Sequence, residues 1–261
     1  MLATTNPLAV AALTIAALMF ATWVISLIVK NASIVDVVWG LGFVAVAWAV
    51  RLSVDGLSAR QNLLVAMTSL WGLRLGGYLF WRNHGNGEDY RYKAMRKHWG
   101  PRFGLISLVT VFTLQGTLMF LVSLPVQLGQ LRTTPSLGAL AWVGVAVWLV
   151  GLFFEAVGDA QLARFKKNPA NAGTVMNKGL WKYTRHPNYF GDACVWWGIA
   201  LVAAEVPIGR WGFIGAAVMT LFLRRVSGVT LLEKSLVKRR TGYVEYVART
   251  SPFVPRPPKR A

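Results

Sequence analysis

Residues 7–29 read "PLAVAALTIAALMFATWVISLIV", an apolar run without a charged side chain. A helix of about 20 such residues is long enough to cross the hydrocarbon core of a bilayer. No Lys or Arg precedes Lys30, so the positively charged start of a secretory signal peptide is missing. The stretch therefore predicts a first membrane-spanning helix that is retained in the protein.

The rest of the chain repeats this pattern. Its 261 residues are 55% hydrophobic and only 15% charged, which is typical of a polytopic membrane protein. Seven spanning segments are expected, near 8–29, 33–52, 61–81, 104–128, 138–160, 190–208 and 211–226. Because neither an internal repeat nor a soluble domain is evident, we predict a single all-α domain over residues 1–261.

Most of the basic residues fall in three polar connections that share one side of the expected topology. The net charge is +18, and the connections are 82–103, 161–189 and 227–261. The positive-inside rule places them in the cytoplasm, with the N-terminus outside and the C-terminus inside. Topology and attraction to anionic membrane lipids account for this charge. We therefore predict no nucleic-acid binding, and no obligate protein partner is evident.

Several common kinds of site are absent from the sequence. The only cysteine, Cys194, lies in an apolar context and offers neither a disulfide nor a cysteine metal site. No GxGxxG, GxxxxGK[ST] or HExxH motif occurs, which excludes a Rossmann domain and predicts no metal. Helix ends and cytoplasmic loops would have to hold any anionic cofactor.

Ionisable side chains within the expected spans are costly and therefore candidates for function. Asp36 is in the second segment and Arg74 in the third. The aromatic residues on the same helical faces are Trp39, Phe43, Trp71 and Tyr78. Two interpretations remain open: an ion pair that joins two helices, or a polar pair that borders a substrate cavity.

The fifth segment ends in a helical face that changes from acidic to basic. Glu155, Asp159, Leu162 and Lys166 recur at intervals of four, three and four residues. Carboxylates facing ribose hydroxyls, followed by a cation facing phosphate, would suit a nucleotide. The alternative is that Lys166 only extends to the membrane interface.

Residues 183–192 read "YTRHPNYFGD" and place polar groups at the start of the sixth segment. The proline suits the first turn of a helix, whose free N–H groups form an anion site together with Arg185 and His186. Asn188 and Asp192 follow at i and i+4 and project from one face. The stretch therefore predicts an anion-binding site at the start of this helix.

These motifs resemble a known family. The sequences "GLWKYTRHPNYFGDACVWWGIAL" (179–201) and "LLEKSLVKRRTGYVEYVARTSPFVP" (231–255) resemble the membrane steroid 5α-reductase superfamily. The sequences "DVVWGLGF" (36–43) and "GEDYRYKAMR" (87–96) are similar to its bacterial branch, often labelled only as a domain of unknown function. The strongest similarity, over 155–255, carries the family's cofactor motifs.

The resemblance implies a multi-pass NADPH-dependent reductase of the bacterial inner membrane. Its substrate, drawn from the bilayer, would be a 3-oxo-Δ4 steroid or a similar lipophilic enone. The implied cofactor-binding residues are Arg74, Asp89, Arg91, Tyr92, Asp159, Lys166, Arg185, His186, Asn188, Tyr189, Asp192, Glu233, Arg240, Tyr243 and Tyr246. Bulky side chains expected to contact a flat substrate are Trp39, Phe43, Trp71 and Trp196.

The implied catalytic residues differ from those of the steroid enzymes, which use a Gln-Glu pair on the second helix and a tyrosine on the third. Asp36 can stand for the glutamate, but Val35 precedes it and Trp71 stands where the tyrosine is expected. Asp36 and Tyr78 are therefore the predicted catalytic residues. A carboxylic acid kept neutral by an apolar cavity could also donate a hydrogen bond itself.

Two other functions fit part of the pattern. Membrane methyltransferases of the isoprenylcysteine or phospholipid type use S-adenosylmethionine and carry a similar Arg-His-Pro-x-Tyr turn. A non-catalytic transporter or receptor could line a polar path with Asp36 and Arg74. The abundant cytoplasmic cations favour the reductase, because NADPH carries three phosphates.

Overall fold

The computed structural model describes residues 6–56, 58–133, 136–226, 229, 233, 236–237 and 240–259. The α-helices are α1 (Pro7–Ile28), α2 (Ile34–Ser53), α3 (Ala59–Asn83), α4 (Tyr90–Trp99), α5 (Phe103–Ser107), α6 (Leu114–Val122), α7 (Leu124–Gly129), α8 (Ala139–Lys167), α9 (Pro187–Ala203), α10 (Phe213–Leu221) and the C-terminal helix Tyr243–Arg249. No β-strand occurs in these described ranges, which confirms the all-α class.

Five helical runs are long and apolar enough to cross a membrane. They are α1, α2, α3, the run Tyr90–Val122 and α8, which identifies an integral membrane protein. At the expected sixth and seventh spans, α9 has 17 residues and α10 has 9, followed by a π-helix over Phe222–Val226. These helices are shorter than the roughly 20 residues of a typical span. The count of seven spans and the orientation stay predictions.

Helix α1 shows the two-faced packing of a lipid-exposed helix. Its buried residues form one stripe, namely Ala11, Ile15, Met19, Thr22 and Ser26. Large apolar side chains point the other way, with Leu13 71% and Ile28 74% exposed. A water-soluble helix would carry polar groups on that face, so lipid is the appropriate solvent.

The segment between the third and fourth expected spans is more helical than the sequence indicated. Residues 82–103 were expected to form a polar connection, but α4 occupies Tyr90–Trp99 and continues through a 3-10 turn, α5, a π-helix (Leu108–Thr113) and α6. The continuous helical run ends at Val122 rather than at 128, because Pro125 cannot continue the preceding helix.

Contacts divide the chain into two units, residues 1–142 with 199–215 and residues 143–198 with 216–261. The expectation of one domain over 1–261 stays a prediction. In the first unit, α2 and α3 meet at glycines, since a Cβ on Gly40 would lie 2.6 Å from the carbonyl oxygen of Gly72. In the second unit, a Cβ on Gly151 of α8 would lie 2.6 Å from the carbonyl oxygen of Gly191 of α9. Each pair allows two helix backbones to touch.

Candidate functional site

The close approach of α8 and α9 in the second unit joins two residues expected to bind a cofactor. The Asn188 amide Nδ2 donates to Asp159 Oδ1 at 3.3 Å. Asp159 is 6% exposed and Glu155, one turn earlier, is 2% exposed, whereas Lys166 at the end of α8 is exposed. The predicted face therefore runs from buried carboxylates to an exposed cation.

Glu233 organises the start of α9. Its carboxylate accepts from Arg185 Nε at 2.7 Å and Nη2 at 3.1 Å, and it lies 3.0 Å from His186 Nε2. Arg185 Nη1 also donates to the carbonyl oxygens of Val247 and Thr250, at 3.0 and 2.5 Å. Most of the guanidinium is thus engaged, so Arg185 fixes the loop and is less suited to the direct anion contact expected from the sequence.

The C-terminal segment holds the same loop from its other side. Thr184 Oγ1 donates to the carbonyl oxygen of Phe253 at 2.8 Å, and the Arg185 N–H donates to that of Ser251 at 2.9 Å. The Phe253 side chain is buried with Ala193. Residues after the C-terminal helix are therefore part of the site's framework.

A cavity of about 380 Å³ opens beside this framework, within the range of about 300–1,000 Å³ that small-molecule sites occupy. Apolar side chains supply much of its wall, for example Leu162, Phe165 and Leu236. The predicted cofactor residues that line it are Lys166, Arg185, His186, Arg240, Tyr243 and Tyr246. The structure therefore gathers six residues from three separate stretches of sequence around one cavity.

The two tyrosines of the cavity are buried and neutral. Tyr246 donates its hydroxyl to the carbonyl oxygen of Trp181 at 2.5 Å, and its ring lies 5.8 Å from that of Tyr243. Burial, followed by the charge of Glu233, raises the pKa of Tyr243 well above its ordinary value of 10.0. Tyr189 stacks on His186 with 5.4 Å between ring centroids. These rings restrict the shape of any ligand.

Acidification is expected to weaken the Glu233 network. Burial opposes ionisation of Glu233, but the hydrogen bonds and charges of His186 and Arg185 outweigh it and hold its pKa below the ordinary value of 4.5. A carboxylate whose pKa is lowered by folding stabilises the protein above its unfolded pKa, and this contribution is lost as pH falls through the folded value. When the pH is lowered below 4.5, we expect the thermal midpoint of the purified protein to decrease. The decrease should be smaller in Glu233→Gln. Equal falls in the two proteins would contradict the assignment, and Glu245→Gln, at an exposed site, is the matched control.

In the first unit, Asp36 is held by two residues of α4. Its Oδ2 lies 2.6 Å from Arg91 Nη2, and its Oδ1 accepts from the Tyr92 hydroxyl at 2.7 Å. Asp89 caps α4 and accepts from Arg91 Nε at 2.9 Å. The carboxylate therefore pairs with Arg91, and the Asp36–Arg74 ion pair of one sequence interpretation stays a prediction.

The tyrosine beside Asp36 is Tyr92 rather than Tyr78. Tyr78 is half-buried on α3, where its ring lies 6.0 Å from that of Trp81 and under the guanidinium of Arg82. Tyr92 is 5% exposed. Helical periodicity indicated Tyr78, because a periodic pattern reveals neighbours on a single helix only. Tyr92 was missed because its segment was expected to be a polar connection.

Three of the four predicted substrate-binding residues form an aromatic cluster. Trp39 and Phe43 have ring centroids 5.1 Å apart, and Phe43 and Trp71 are 5.5 Å apart, both edge to face. Phe43 and Trp71 are fully buried. The fourth, Trp196, is a fully buried residue of α9, and contact with a substrate stays a prediction for all four.

The roles of the other two predicted residues also stay predictions. Arg74 is half-buried on α3 and Asp192 is half-buried on α9. Sequence reasoning did not single out Glu88 and Ser33, whose long-range hydrogen bonds to Ala32 and Asp89 help position α4. Neither lies in a spacing pattern that would have revealed it.

A family model described as "Protein of unknown function (DUF1295)" matches residues 22–250, and the chain belongs to this family. An uncharacterized protein of Schizosaccharomyces pombe is 24% identical over 284 residues, covering 97% of this chain and 80% of that protein. No solved structure matches the chain.

Two enzymes are similar to this chain over shorter stretches. The 3-oxo-5-alpha-steroid 4-dehydrogenase 1 of Bos taurus is 32% identical over 81 residues, which cover 31% of each protein. The probable O-methyltransferase ustE of Ustilaginoidea virens is 34% identical over 85 residues, which cover 30% of each. These similarities support the broad superfamily, while membership of its bacterial branch stays a prediction.

Proposed function

We propose that this member of the DUF1295 family is an NADPH-dependent membrane reductase. Its reaction would saturate the carbon–carbon double bond of a conjugated enone in a lipophilic molecule drawn from the bilayer, such as a 3-oxo-Δ4 steroid. The proposal retains the seven-span topology, the cytoplasmic C-terminus and the bacterial inner membrane. The observation that carries it is the cation-bearing cavity of the second unit.

The residues of this cavity suit NADPH. Lys166 and Arg240 line it. Charge-assisted hydrogen bonds to phosphate are among the strongest that proteins form, so these two cations are the candidates for holding phosphate groups. The apolar wall and the rings of Tyr243 and Tyr246 would accept a flat base.

The cluster around Asp36 suits protonation of the substrate. In this cluster the Asp36 carboxylate accepts from both Arg91 and Tyr92, so the Tyr92 hydroxyl is the neutral group that can donate a proton. We assign the Tyr92 hydroxyl to donate to the keto oxygen, where negative charge develops when an enone accepts a hydride. Because a phenol carries one proton, which Asp36 Oδ1 accepts in this structure, the Tyr92 hydroxyl would turn from Asp36 to the keto oxygen when the enone binds. Bound NADPH would supply the hydride to the β-carbon, and a proton from water, added at the α-carbon, would complete the reduction.

A methyltransferase is the second candidate, because the O-methyltransferase alignment is as long as the reductase alignment. The cofactor of such an enzyme, S-adenosylmethionine, carries a sulfonium cation and no phosphate. Lys166 and Arg240 could hold the single carboxylate of S-adenosylmethionine, but two cations match the three phosphates of NADPH better. We therefore favour the reductase.

The two functions separate at the cofactor. Purified protein in detergent is titrated with NADPH and, separately, with S-adenosylmethionine, and binding is followed by calorimetry. The reductase reading requires NADPH to bind. Binding of S-adenosylmethionine without any binding of NADPH would contradict the reductase hypothesis and support the methyltransferase.

Removal of either cavity cation should weaken cofactor binding. We expect Lys166→Ala and Arg240→Ala each to raise the Kd for NADPH by about 10- to 150-fold, because a hydrogen bond to a charged group contributes about 1.5–3 kcal/mol. Lys97→Ala, an exposed cation on α4, is the control and should leave the Kd unchanged. If both cavity variants bound NADPH as tightly as the unmodified protein, the cofactor would not lie in this cavity.

A further inference from the structure

Two short segments of the first unit run side by side in a constant register. The Ala32 N–H donates to Glu88 Oε1 at 2.8 Å, the Asp89 N–H donates to Ser33 Oγ at 3.2 Å, and Tyr92 donates to Asp36. All three contacts join residues that are 56 positions apart. The segments 32–36 and 88–92 are therefore aligned residue by residue, with Glu88 at one end and the Tyr92 hydroxyl at the other.

Glu88 is anchored on both sides. Arg96 of α4 donates to its carboxylate from Nε at 3.0 Å and from Nη2 at 2.8 Å. The Glu88 side chain is 8% exposed, and the Arg96 guanidinium lies 4.7 Å over the ring of Phe103. A bidentate pair of this kind fixes direction as well as distance. Glu88 thus connects α4 rigidly to the start of α2.

The turn that Glu88 holds is conformationally unusual. Lys30 has φ of 53°, the only positive value among the non-glycine residues that the structure describes. Such a left-handed conformation is unfavourable for a residue with a side chain, so it needs support from its surroundings. The Lys30 carbonyl oxygen accepts from Arg96 Nη2 at 3.4 Å. Two residues further on, the Ala32 N–H donates to Glu88. Both contacts support the turn.

We propose that Glu88 is a positioning residue, which holds the start of α2 and the start of α4 in the register that places the Tyr92 hydroxyl on Asp36. The effect of Glu88 on turnover rests on the proposed reductase function. The effect of Glu88 on the position of Tyr92 does not depend on that function.

Glu88 is ionised at neutral pH in this arrangement. Burial opposes ionisation, but the hydrogen bonds from Arg96 and the Ala32 N–H outweigh it and lower the pKa of Glu88 below its ordinary value of 4.5. A carboxylate can accept from both partners at once, whereas an amide presents one donor group to Arg96. Glu88→Gln therefore breaks one side of the connection with little change of shape.

The geometric statement is tested by a double-mutant cycle on thermal stability in detergent. Glu88→Gln, Tyr92→Phe and the double variant are compared with the unmodified protein. If Glu88 sets the register, Tyr92→Phe lowers the melting midpoint less in the Glu88→Gln background, by less than about half of its shift in the unmodified protein, because contacts that depend on each other are not additive. Equal shifts in the two backgrounds would overturn the proposal.

A second variant and a control complete the cycle. Arg96→Gln keeps the acceptor for the Ala32 N–H and removes the other anchor, so it should weaken the coupling to Tyr92 in the same direction. It also serves if Glu88→Gln does not fold. Asp55→Asn, at an exposed acidic residue, should leave the Tyr92→Phe shift unchanged.

The kcat for enone reduction distinguishes a positioning role of Glu88 from a purely structural one, which would leave kcat unchanged. We expect Glu88→Gln to lower kcat for enone reduction by about tenfold, because small displacements of a reacting group are costly, with the KM for NADPH unchanged. Coupled midpoints with an unchanged kcat would refute positioning for catalysis. If the unmodified protein reduced no enone, the proposed function would fall, whereas coupled midpoints would still support the hold of Glu88 on Tyr92.

Discussion

Tyr92→Phe is expected to lower kcat for enone reduction by about 100-fold, the loss typical of removing one hydrogen-bond donor to a developing oxyanion. The substitution keeps the buried ring and deletes only the hydroxyl, which lies 2.7 Å from Asp36 Oδ1. Because the interaction is made mainly in the transition state, kcat should fall while the KM for NADPH stays the same. Both are measured in detergent from the loss of reduced nicotinamide absorbance.

Two comparisons make this experiment specific. Tyr90→Phe alters an exposed tyrosine two residues away on α4 and should leave kcat unchanged. Tyr78→Phe tests the donor indicated by helical periodicity. A large loss in Tyr78→Phe, together with normal turnover in Tyr92→Phe, would assign the proton to Tyr78 and contradict the arrangement around Asp36.

Glu233→Ala is expected to have the largest effect on the cofactor cavity. Glu233 neutralises Arg185, whose side chain is 7% exposed, and also contacts His186. Removal of one member of a buried ion pair leaves the other charge uncompensated and typically costs about 3–5 kcal/mol. We expect a marked drop in the thermal midpoint and weaker binding of NADPH, because the loop that brings Arg185 and His186 to the cavity would no longer be held.

The control for this variant is Glu245→Ala. Glu245 is an exposed acidic residue on the C-terminal helix, so its removal should affect neither quantity. Midpoint and Kd are measured on the same preparation by a thermal melt and by calorimetry. Retention of normal NADPH affinity in a destabilised Glu233→Ala protein would show that the Arg185 loop does not shape the cofactor site.

Local patterns predicted the parts of the structure that depend on one helix. The face from Glu155 to Lys166 was readable because α8 is continuous through it. The start of a helix at Pro187 was readable from the proline itself. The contact between Asp159 and Asn188 then follows from glycines that let α8 and α9 touch.

Contacts between distant segments could not be predicted in this way. Arg185 was expected to face an anion, but its partner Glu233 lies 48 residues away, and no periodicity links the two. Tyr92 was placed in a loop because Tyr90–Trp99 is strongly polar. Its helix forms nonetheless, since Asp89 caps the first turn and Arg91 pairs with Asp36. Tertiary contacts therefore override the local polarity there.

Isotope transfer from NADPH to an enone distinguishes a reductase from a methyltransferase in one experiment. Purified protein is incubated with a lipophilic conjugated enone and NADPH that carries deuterium at the hydride position of its nicotinamide ring, and the product is examined by mass spectrometry. The account predicts a saturated ketone with one deuterium at the β-carbon. An enone left unreduced by NADPH, together with methyl transfer from S-adenosylmethionine to a lipophilic acceptor, would contradict it.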